Sequence, residues 1–455
     1  MSRAPAAPRR AVALALAFAL APTVAGSPAL ATHDLSPIDL VDLEVAYDTL
    51  TTQYYRRLDP QRIIDGAHVG IVAYLRGRGI GDPRVPSLRA SGRYAHDLHA
   101  PGQEVAAAVL RYGSRIDAHD LVYAAIAGEV AAPGDPYTVF FTPAQEQQFY
   151  RFLNPPAFGG IGVILHVDAK TTALVVDDVI PGGPADRAGL RAGDAIVAID
   201  GVATSGQSID AMQGRLRGAL GTTVRISYAR DGADVAVPLE VVRARVTPPD
   251  AFGRMLAGGV GYLQLTSYGA DAAKQLARVM RTLDAQGARS YVLDLRGNGG
   301  GYRDAAIAVT SAFIPPGPVV TMQARSGKRT TLRTIPSTPP RKPLAVLVNG
   351  DTASAAEITA SAIQDTGSGT LVGTRTFGKG LVQQMYPLPD RGAMKVTVER
   401  YYTVRGRDID RRGVDPDVVV SEPDGSVPGD PDRDPQLARA LGILSAPAAP
   451  APSSR

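Results

Sequence analysis

Apolar positions change their spacing along the 455-residue chain, and each change marks a different kind of structure. From about Ser36 to Gln148 they recur every three or four residues, as in "LVDLEVAYDTL" and "DLVYAAIAGEV", the period of helices that bury one face. From Phe158 to about Arg245 the apolar runs become short and β-branched, in "GIGVILHV", "TALVVDDVI", "AIVAIDG", "VRISYAR" and "VAVPLEVV". Glycines punctuate them, which predicts a small β-rich domain. From Gly258 strands and helices alternate: "GVGYLQL", a helix through "DAAKQLARVMRTLDAQ", "SYVLDLRG", a helix from "RDAAIAVTSAF", "PLAVLVNG", then a helix after Ser354. Alternation of this kind predicts an α/β layered domain. The chain is thus read as an α+β multidomain protein with a helical region at 32–150, a β-rich domain at 158–245 and an α/β core at 250–423. The segment 424–455, rich in Pro, Asp and Ala, is expected to be a mostly mobile tail.

Two features of the first part refine this plan. "YYRRLDPQRIIDGAHVG" from Tyr54 and "YGSRIDAHDLVYAAIAG" from Tyr112 share Tyr, Arg, an aliphatic residue and Asp at one offset, continuing to Gly70 and Gly128. A duplicated helical hairpin and a chance likeness between amphipathic helices both account for this echo. Ahead of it, Arg3, Arg9 and Arg10 precede an apolar run from Ala11 to Ala21 and small residues ending in Ala29-Leu30-Ala31. That is a signal-peptide pattern over residues 1–31, with cleavage expected after Ala31 and export to the periplasm, cell envelope or exterior. Arg9-Arg10 leaves twin-arginine export open beside the general route. The apolar run is shorter than the roughly 20 residues of a membrane span, so a soluble mature chain is expected.

Composition narrows the chemistry. Cysteine is absent, which removes a thiol nucleophile, disulfides and a lipobox anchor. The net charge of +4 is spread without a basic run or interleaved aromatics, so nucleic acid is not expected as a partner. Neither a metal nor an organic cofactor is expected. All six histidines (His33, His68, His96, His99, His119 and His166) precede the α/β core, so a Ser/His/Asp triad cannot be built within it.

Three stretches of the core can carry a reaction. In "NGDTASAAEITASAIQ", Ser354 and Glu357 form an S-x-x-E capping box, and the same serine at a helix start is also placed for nucleophilic attack near free backbone amides. Lys379, in "TRTFGKGLVQQ", lies between Gly378 and Gly380 beside Phe377, Leu381 and Val382. Lysine serves as a base where burial disfavours its ammonium form, and Gly-Lys-Gly also suits a plain hairpin turn. In "VLDLRGNGGGYRDA" an apolar strand runs into Asn298 and three glycines, a loop whose amides suit an oxyanion hole or a phosphate cradle. It lacks the G-x-G-x-x-G order of a dinucleotide site.

Two resemblances connect these pieces. "PGGPADRAGLRAGDAIVAIDG" (Pro181 to Gly201), with "FGGIGV" (Phe158 to Val163) before it, resembles the signature of PDZ domains. The resemblance implies a site at Gly160, Ile161 and Gly162 that takes a peptide carboxylate. "DLRGNGGG", "NGDTASAAEI" and "TFGKGLVQ", in that order and behind a PDZ-like segment, are similar to the C-terminal processing (tail-specific) peptidases. The likeness runs from "GDPYTVFFTP" through "YYTVRGRDIDRRGVDPDVVV". It implies a crotonase-like ββα core, Ser354 as nucleophile, Lys379 as general base and Gln383 orienting the lysine. It further implies oxyanion N–H groups at Gly300 and Ala355, an acyl-enzyme, and protein substrates with accessible apolar C-terminal tails. A homo-oligomer or an adaptor is a possible partner on this reading. "RGIGDPRVPSLRASGRYAHDLHAPGQE" stands out as an insertion between the echoing helices, with assembly or partner binding as its expected consequence. Two other classes fit the same scaffold: a noncatalytic PDZ peptide-binding protein, and a binder of an apolar small molecule.

Overall fold

The computed structural model describes residues 35–445 apart from 154–156, 168–172, 181, 192, 231–232, 235–237, 338–341, 424–425 and 427. The signal-peptide segment and the last ten residues lie outside the described residues. The described residues fold into two compact units that interleave in sequence: those within 1–150, 320–332 and 379–411 form one, and those within 151–319, 333–378 and 412–455 the other.

In the first unit, helices Pro37–Gln53, Pro60–Gly77, Ala100–Tyr112 and Ala118–Ala131 surround a core that includes Leu43, Leu50, Ile63, Ile71, Leu121 and Ile126. Local chemistry starts two of them. The Ser36 hydroxyl accepts the Asp39 amide at 3.3 Å while Asp39 accepts the Ser36 N–H at 2.8 Å, and Asp59 caps the helix that opens with Pro60. The echoing glycines meet here. A Cβ on Gly70 would lie 2.0 Å from the Ala124 carbonyl oxygen, and one on Gly128 would lie 2.1 Å from that of Gly66. Glycine is what allows these two helices to touch backbone to backbone.

The expected insertion is ordered rather than loose. Leu88 donates its N–H to Glu104 and Ala90 its own to Gln61, both at 2.8 Å, while Glu104 also meets His68. The unit's five-stranded antiparallel sheet is organised by the long strand Ala393–Tyr402, which pairs with Val139–Phe141, Leu381–Pro387 and Pro318–Ala324. Met394 and Val396 of that strand join the helical core.

The second unit holds a seven-stranded sheet and a six-stranded one. In the smaller domain, strands Val163–Val167, Leu174–Val179, Ala195–Ile199 and Thr223–Arg230 carry alternating apolar residues onto helix Ile209–Leu216, and Val163–Val167 stands at the sheet edge. The six-stranded sheet runs Ala251–Leu256, Val260–Leu265, Ser290–Asp294, Leu344–Val348, Thr370–Gly373, Val418–Val419. Only the first pair is antiparallel. Ser290–Asp294 and Leu344–Val348 are buried along their whole length, the second of them apolar throughout.

The end of the chain corrects one expectation. Pro435–Ser445 is a helix, with Leu437 and Ala440 buried against Val292, Ala345 and Val372 of the sheet. Composition pointed to mobility because proline dominates the flanks, whereas "QLARALGIL" carries an apolar face with something to cover.

Candidate active site

Adjacent parallel strands deliver the Ser354 region of the second unit. Ser290–Asp294 continues into residues 295–301 and Leu344–Val348 into 349–354, so both loops leave the carboxyl ends of paired strands at one end of the sheet. Backbone and side-chain bonds stitch the loops together. Thr352 Oγ1 donates to the Leu295 carbonyl at 2.9 Å, Gly297 N–H to Asn349 Oδ1 at 3.0 Å, and Ala353 N–H to the Asn298 carbonyl at 2.9 Å. Asn298, fully buried, donates through Nδ2 to the Leu265 carbonyl at 2.7 Å.

Gly300 brings the glycine loop against the serine. It takes φ +96°, and a Cβ there would lie 2.9 Å from each of the Ala353 oxygen, the Ala355 nitrogen and Ser354 Cβ. Any side chain would push the loop off the turn. The Gly300 N–H donates to Asn298 Oδ1 at 2.9 Å, so this amide is already engaged.

Ser354 itself is held at φ +57°, ψ −116°, a conformation that costs a non-glycine residue on the order of 1–3 kcal/mol. Small neighbours make the turn feasible, and it sits at the start of helix Ala355–Thr366, where backbone amides lack helical partners. Ser354 and Glu357 form the capping box of that helix. The strain is held by Glu357. Its fully buried carboxylate accepts the Ser354 N–H at 2.9 Å, the Gly378 N–H at 2.8 Å and Thr376 Oγ1 at 2.5 Å. One side chain thereby fixes the serine turn and the residue that precedes Lys379 in the chain.

A second buried ionic group supports the glycine loop from below. Arg296 donates to Asp294 at 2.6 Å and to Asp434 at 2.7 Å, with Gln436 at 3.0 Å completing the set. The paired carboxylates hold the guanidinium charged despite burial, raising its pKa from an already high value. The helix at the chain's end is thus tied to the strand that leads into the loop.

In the first unit, Lys379 is buried with its Nζ 5.0 Å from the Tyr137 ring centroid, and its carbonyl accepts Tyr401 Oη at 2.6 Å. Gly380 is needed beside it, since a Cβ would come within 2.7 Å of the Asp410 amide. Gln383 follows a bulge in strand Leu381–Pro387 and donates to Thr397 Oγ1 at 3.3 Å. Thr397 passes the chain on to Asp135 at 2.5 Å, and Asp135 also accepts the Tyr137 N–H at 3.0 Å and Thr138 Oγ1 at 2.7 Å. A neighbouring lysine, Lys395, is pushed down to about 8, chiefly by burial and next by the charge of Lys379, with Asp135 opposing.

Of the predicted site residues, Ser354, Ala355 and Gly300 meet in the second unit, and Lys379 and Gln383 lie in the first. In the smaller domain, Gly160 ends a strand paired with Ala244–Val246, Ile161 is buried in the core, and Gly162 takes φ +79° with its carbonyl accepting the Ile180 N–H at 2.9 Å. Sequence reasoning missed the side-chain role of Asn298, the Asp294–Arg296–Asp434 cluster and Lys395. The charges in the otherwise apolar "VLDLRG" were a readable sign of the cluster. No group of three or more metal-ligating side chains occurs among the described residues, and no helix there is long and apolar enough to cross a membrane.

A model of peptidase family S41 matches residues 259–420, and a PDZ domain model matches 175–230. A carboxyl-terminal-processing protease of Picosynechococcus sp. is 35% identical over 333 residues, covering 72% of this chain and 80% of that protein. One of Synechocystis sp. is 34% identical over 305 residues, covering 66% and 71%. A solved photosystem II D1 C-terminal processing protease is 27% identical with a TM-score of 0.49, covering 90% of this chain and 98% of that one. The protein is a mixed α/β peptidase with a PDZ domain. It belongs to peptidase family S41, among the carboxyl-terminal-processing serine proteases.

Proposed function

We propose that the protein is an exported endopeptidase that engages protein C-terminal tails through its PDZ domain and cuts peptide bonds with a Ser354/Lys379 dyad. The observation that carries this reading is the strained Ser354 turn, which Glu357 and Gly300 hold at a helix start. The neutral amine of Lys379 takes the Ser354 hydroxyl proton as Oγ attacks the substrate carbonyl carbon. The tetrahedral oxyanion rests on the amides of Ala355 and Gly300, the latter sharing its N–H with Asn298 Oδ1. Lysine returns the proton to the departing amine nitrogen, leaving an acyl-serine ester. Water, deprotonated by the same lysine, hydrolyses that ester. Gln383 orients the lysine on this account.

Substrate selection falls to the PDZ domain, taken as 158–245. An extended tail would add to the exposed edge of Val163–Val167, its carboxylate at Gly160 to Gly162. The peptidase core, taken as 250–423, is read as crotonase-like in layering; its run of parallel strands interleaved with helices supports this. Export rests on residues 1–31 and on the signal-peptide composition read from them.

Cleavage of an unfolded protein with an apolar carboxyl terminus tests the chemistry. Ser354→Ala and Lys379→Ala should each lower kcat/KM by at least about 10³-fold with unchanged melting curves. Equal cleavage by all three proteins would overturn the dyad. Deleting 158–245 should flatten the ranking of tail variants, and an unaltered ranking would remove the PDZ domain from selection. N-terminal sequencing of the mature chain should begin at Thr32.

A further inference from the structure

Tyr268 is a fully buried phenol that the chemistry above leaves unused. It follows strand Val260–Leu265 in the second unit and meets the glycine loop through its backbone. Its N–H donates to the Gly300 carbonyl at 3.1 Å, and its own carbonyl accepts the Tyr302 N–H at 2.8 Å, a single parallel bridge opposite Gly301. A Cβ on Gly301 would lie 2.5 Å from the Tyr268 oxygen, so this contact requires glycine. The same segment holds the loop a second time, through the bond from Asn298 Nδ2 to the Leu265 carbonyl. Gly300 is thereby held on both sides, its N–H by Asn298 Oδ1 at 2.9 Å and its carbonyl by Tyr268.

The side chain of Tyr268 reaches two helices. Its Oη donates to Thr359 Oγ1 at 2.7 Å, and Thr359 Oγ1 lies 2.9 Å from Thr310 Oγ1. Thr359 belongs to helix Ala355–Thr366, which begins after Ser354, and Thr310 to helix Arg303–Ser311, which leaves the glycine loop. All three side chains are shut off from solvent. Hydroxyls buried in this way must satisfy one another, and they do so only over a narrow range of distances, so the chain of three ties the loop to the serine helix. Core filling alone would need the ring of Tyr268 and not its hydroxyl. Amide donors stabilise an oxyanion only when they are aimed at the place where its charge develops, so the spacing between loop and serine helix bears directly on rate.

We propose that Tyr268 is a positioning residue for proteolysis: its backbone holds the glycine loop, and its hydroxyl, through Thr359, fixes that loop against the helix that begins at Ser354. The proposal rests on the assignment of Ser354 as nucleophile and of the Gly300 amide as an oxyanion donor. It predicts that the hydroxyl of Tyr268 matters to the chemical step and not to substrate binding.

The test is the separate measurement of kcat and KM, well below the melting temperature, on an unfolded protein with an apolar carboxyl terminus. Tyr268→Phe keeps the ring and both backbone bonds and removes only the hydroxyl. It should lower kcat about tenfold with KM within about twofold of wild type, and Thr359→Val should do the same. The double variant should be no slower than either single one, since both cut one link. Thr359→Ser keeps the hydroxyl and should stay within about twofold of wild type. A peptide aldehyde, whose adduct with the serine carries the oxyanion, should lose about tenfold in affinity for Tyr268→Phe, while the alcohol of the same sequence binds as before. An unchanged kcat in Tyr268→Phe, a change confined to KM, or an equal loss for aldehyde and alcohol overturns the proposal. Where Tyr268→Phe does not fold, the two Thr359 variants decide: a slow valine with a wild-type serine supports the proposal, and any other pair of results overturns it. Substantial cleavage by Ser354→Ala would instead sink the underlying assignment of the nucleophile. An inactive Ser354→Ala together with an unchanged kcat in Tyr268→Phe rejects this inference alone.

Discussion

Glu357 and Glu129 are both completely buried, and they live in opposite conditions. Glu357, beside the serine turn, accepts bonds from two backbone amides and a threonine hydroxyl. Glu129, in helix Ala118–Ala131 of the first unit, has no hydrogen bond at either carboxyl oxygen among the described residues, and burial pushes its carboxyl well above the ordinary range. The contrast extends around each. Near the glycine loop, Arg296 is enclosed by Asp294 and Asp434, whereas in the helical unit one carboxyl oxygen of Asp42 is buried without a hydrogen bond among the described residues. A carboxylate can fix a backbone only when donors converge on it, and then its removal exposes them all. An unpartnered buried acid survives by staying protonated, and it constrains nothing.

The largest effect should therefore come from Glu357→Ala. It leaves the amides of Ser354 and Gly378 unsatisfied and releases the strained serine turn. A loss of stability of about 3–5 kcal/mol in denaturant melts, and of activity by at least about 10²-fold, is expected. If Glu357→Ala were as stable and active as wild type, the contrast would collapse.

Asp434→Ala comes next. It strands part of the Arg296 charge and detaches the last helix, with an expected cost of about 3 kcal/mol or more by the same melts.

Asp42 gives a smaller, pH-dependent effect. Its carboxyl is raised from 3.8 to about 7, by burial first and by the neighbouring Asp390 charge second. A raised folded-state value means that the folded state holds the proton more tightly. The stability it lends is full below about 3.8 and is lost as pH rises toward and past about 7. Asp42→Asn should remove that slope, and melting temperatures between pH 4 and 8 would show it; an unchanged slope would break the reading of this cluster.

The smallest change is expected for Glu129→Gln near pH 5, where the native acid is already neutral and stability should move by less than about 1 kcal/mol. The sign again follows from a raised folded value: wild-type stability falls as pH rises above 4.5, so the variant should gain on wild type toward pH 8.

Much of the site was legible in the chain itself. The glycine loop after "VLDLR", the small residues around Ser354, and Lys379 between two glycines are local patterns whose chemistry follows from residue type. The confinement of all six histidines to the segments before the core pointed away from a histidine base without any structure. The capping box is present at Ser354 and Glu357, but the local pattern did not show that the Glu357 carboxylate also reaches Thr376 and Gly378, about twenty residues onward. The tail was misjudged for a related reason, because the partners that give helix Pro435–Ser445 a place include strands far earlier in the chain, such as Ser290–Asp294 and Leu344–Val348.

The sequence by itself determined the order of helical, β-rich and alternating segments and the candidate residues, since periodicity and residue chemistry are properties of neighbours along the chain. Only the tertiary structure decided that Gly300 must lack a side chain because it abuts Ser354, and that Ser354 is held at a strained φ. It alone set Arg296 between Asp294 and Asp434 and buried Lys395 among aromatic rings. Those facts arise where distant segments converge and exclude water, and a linear pattern carries no record of which side chains will share that space.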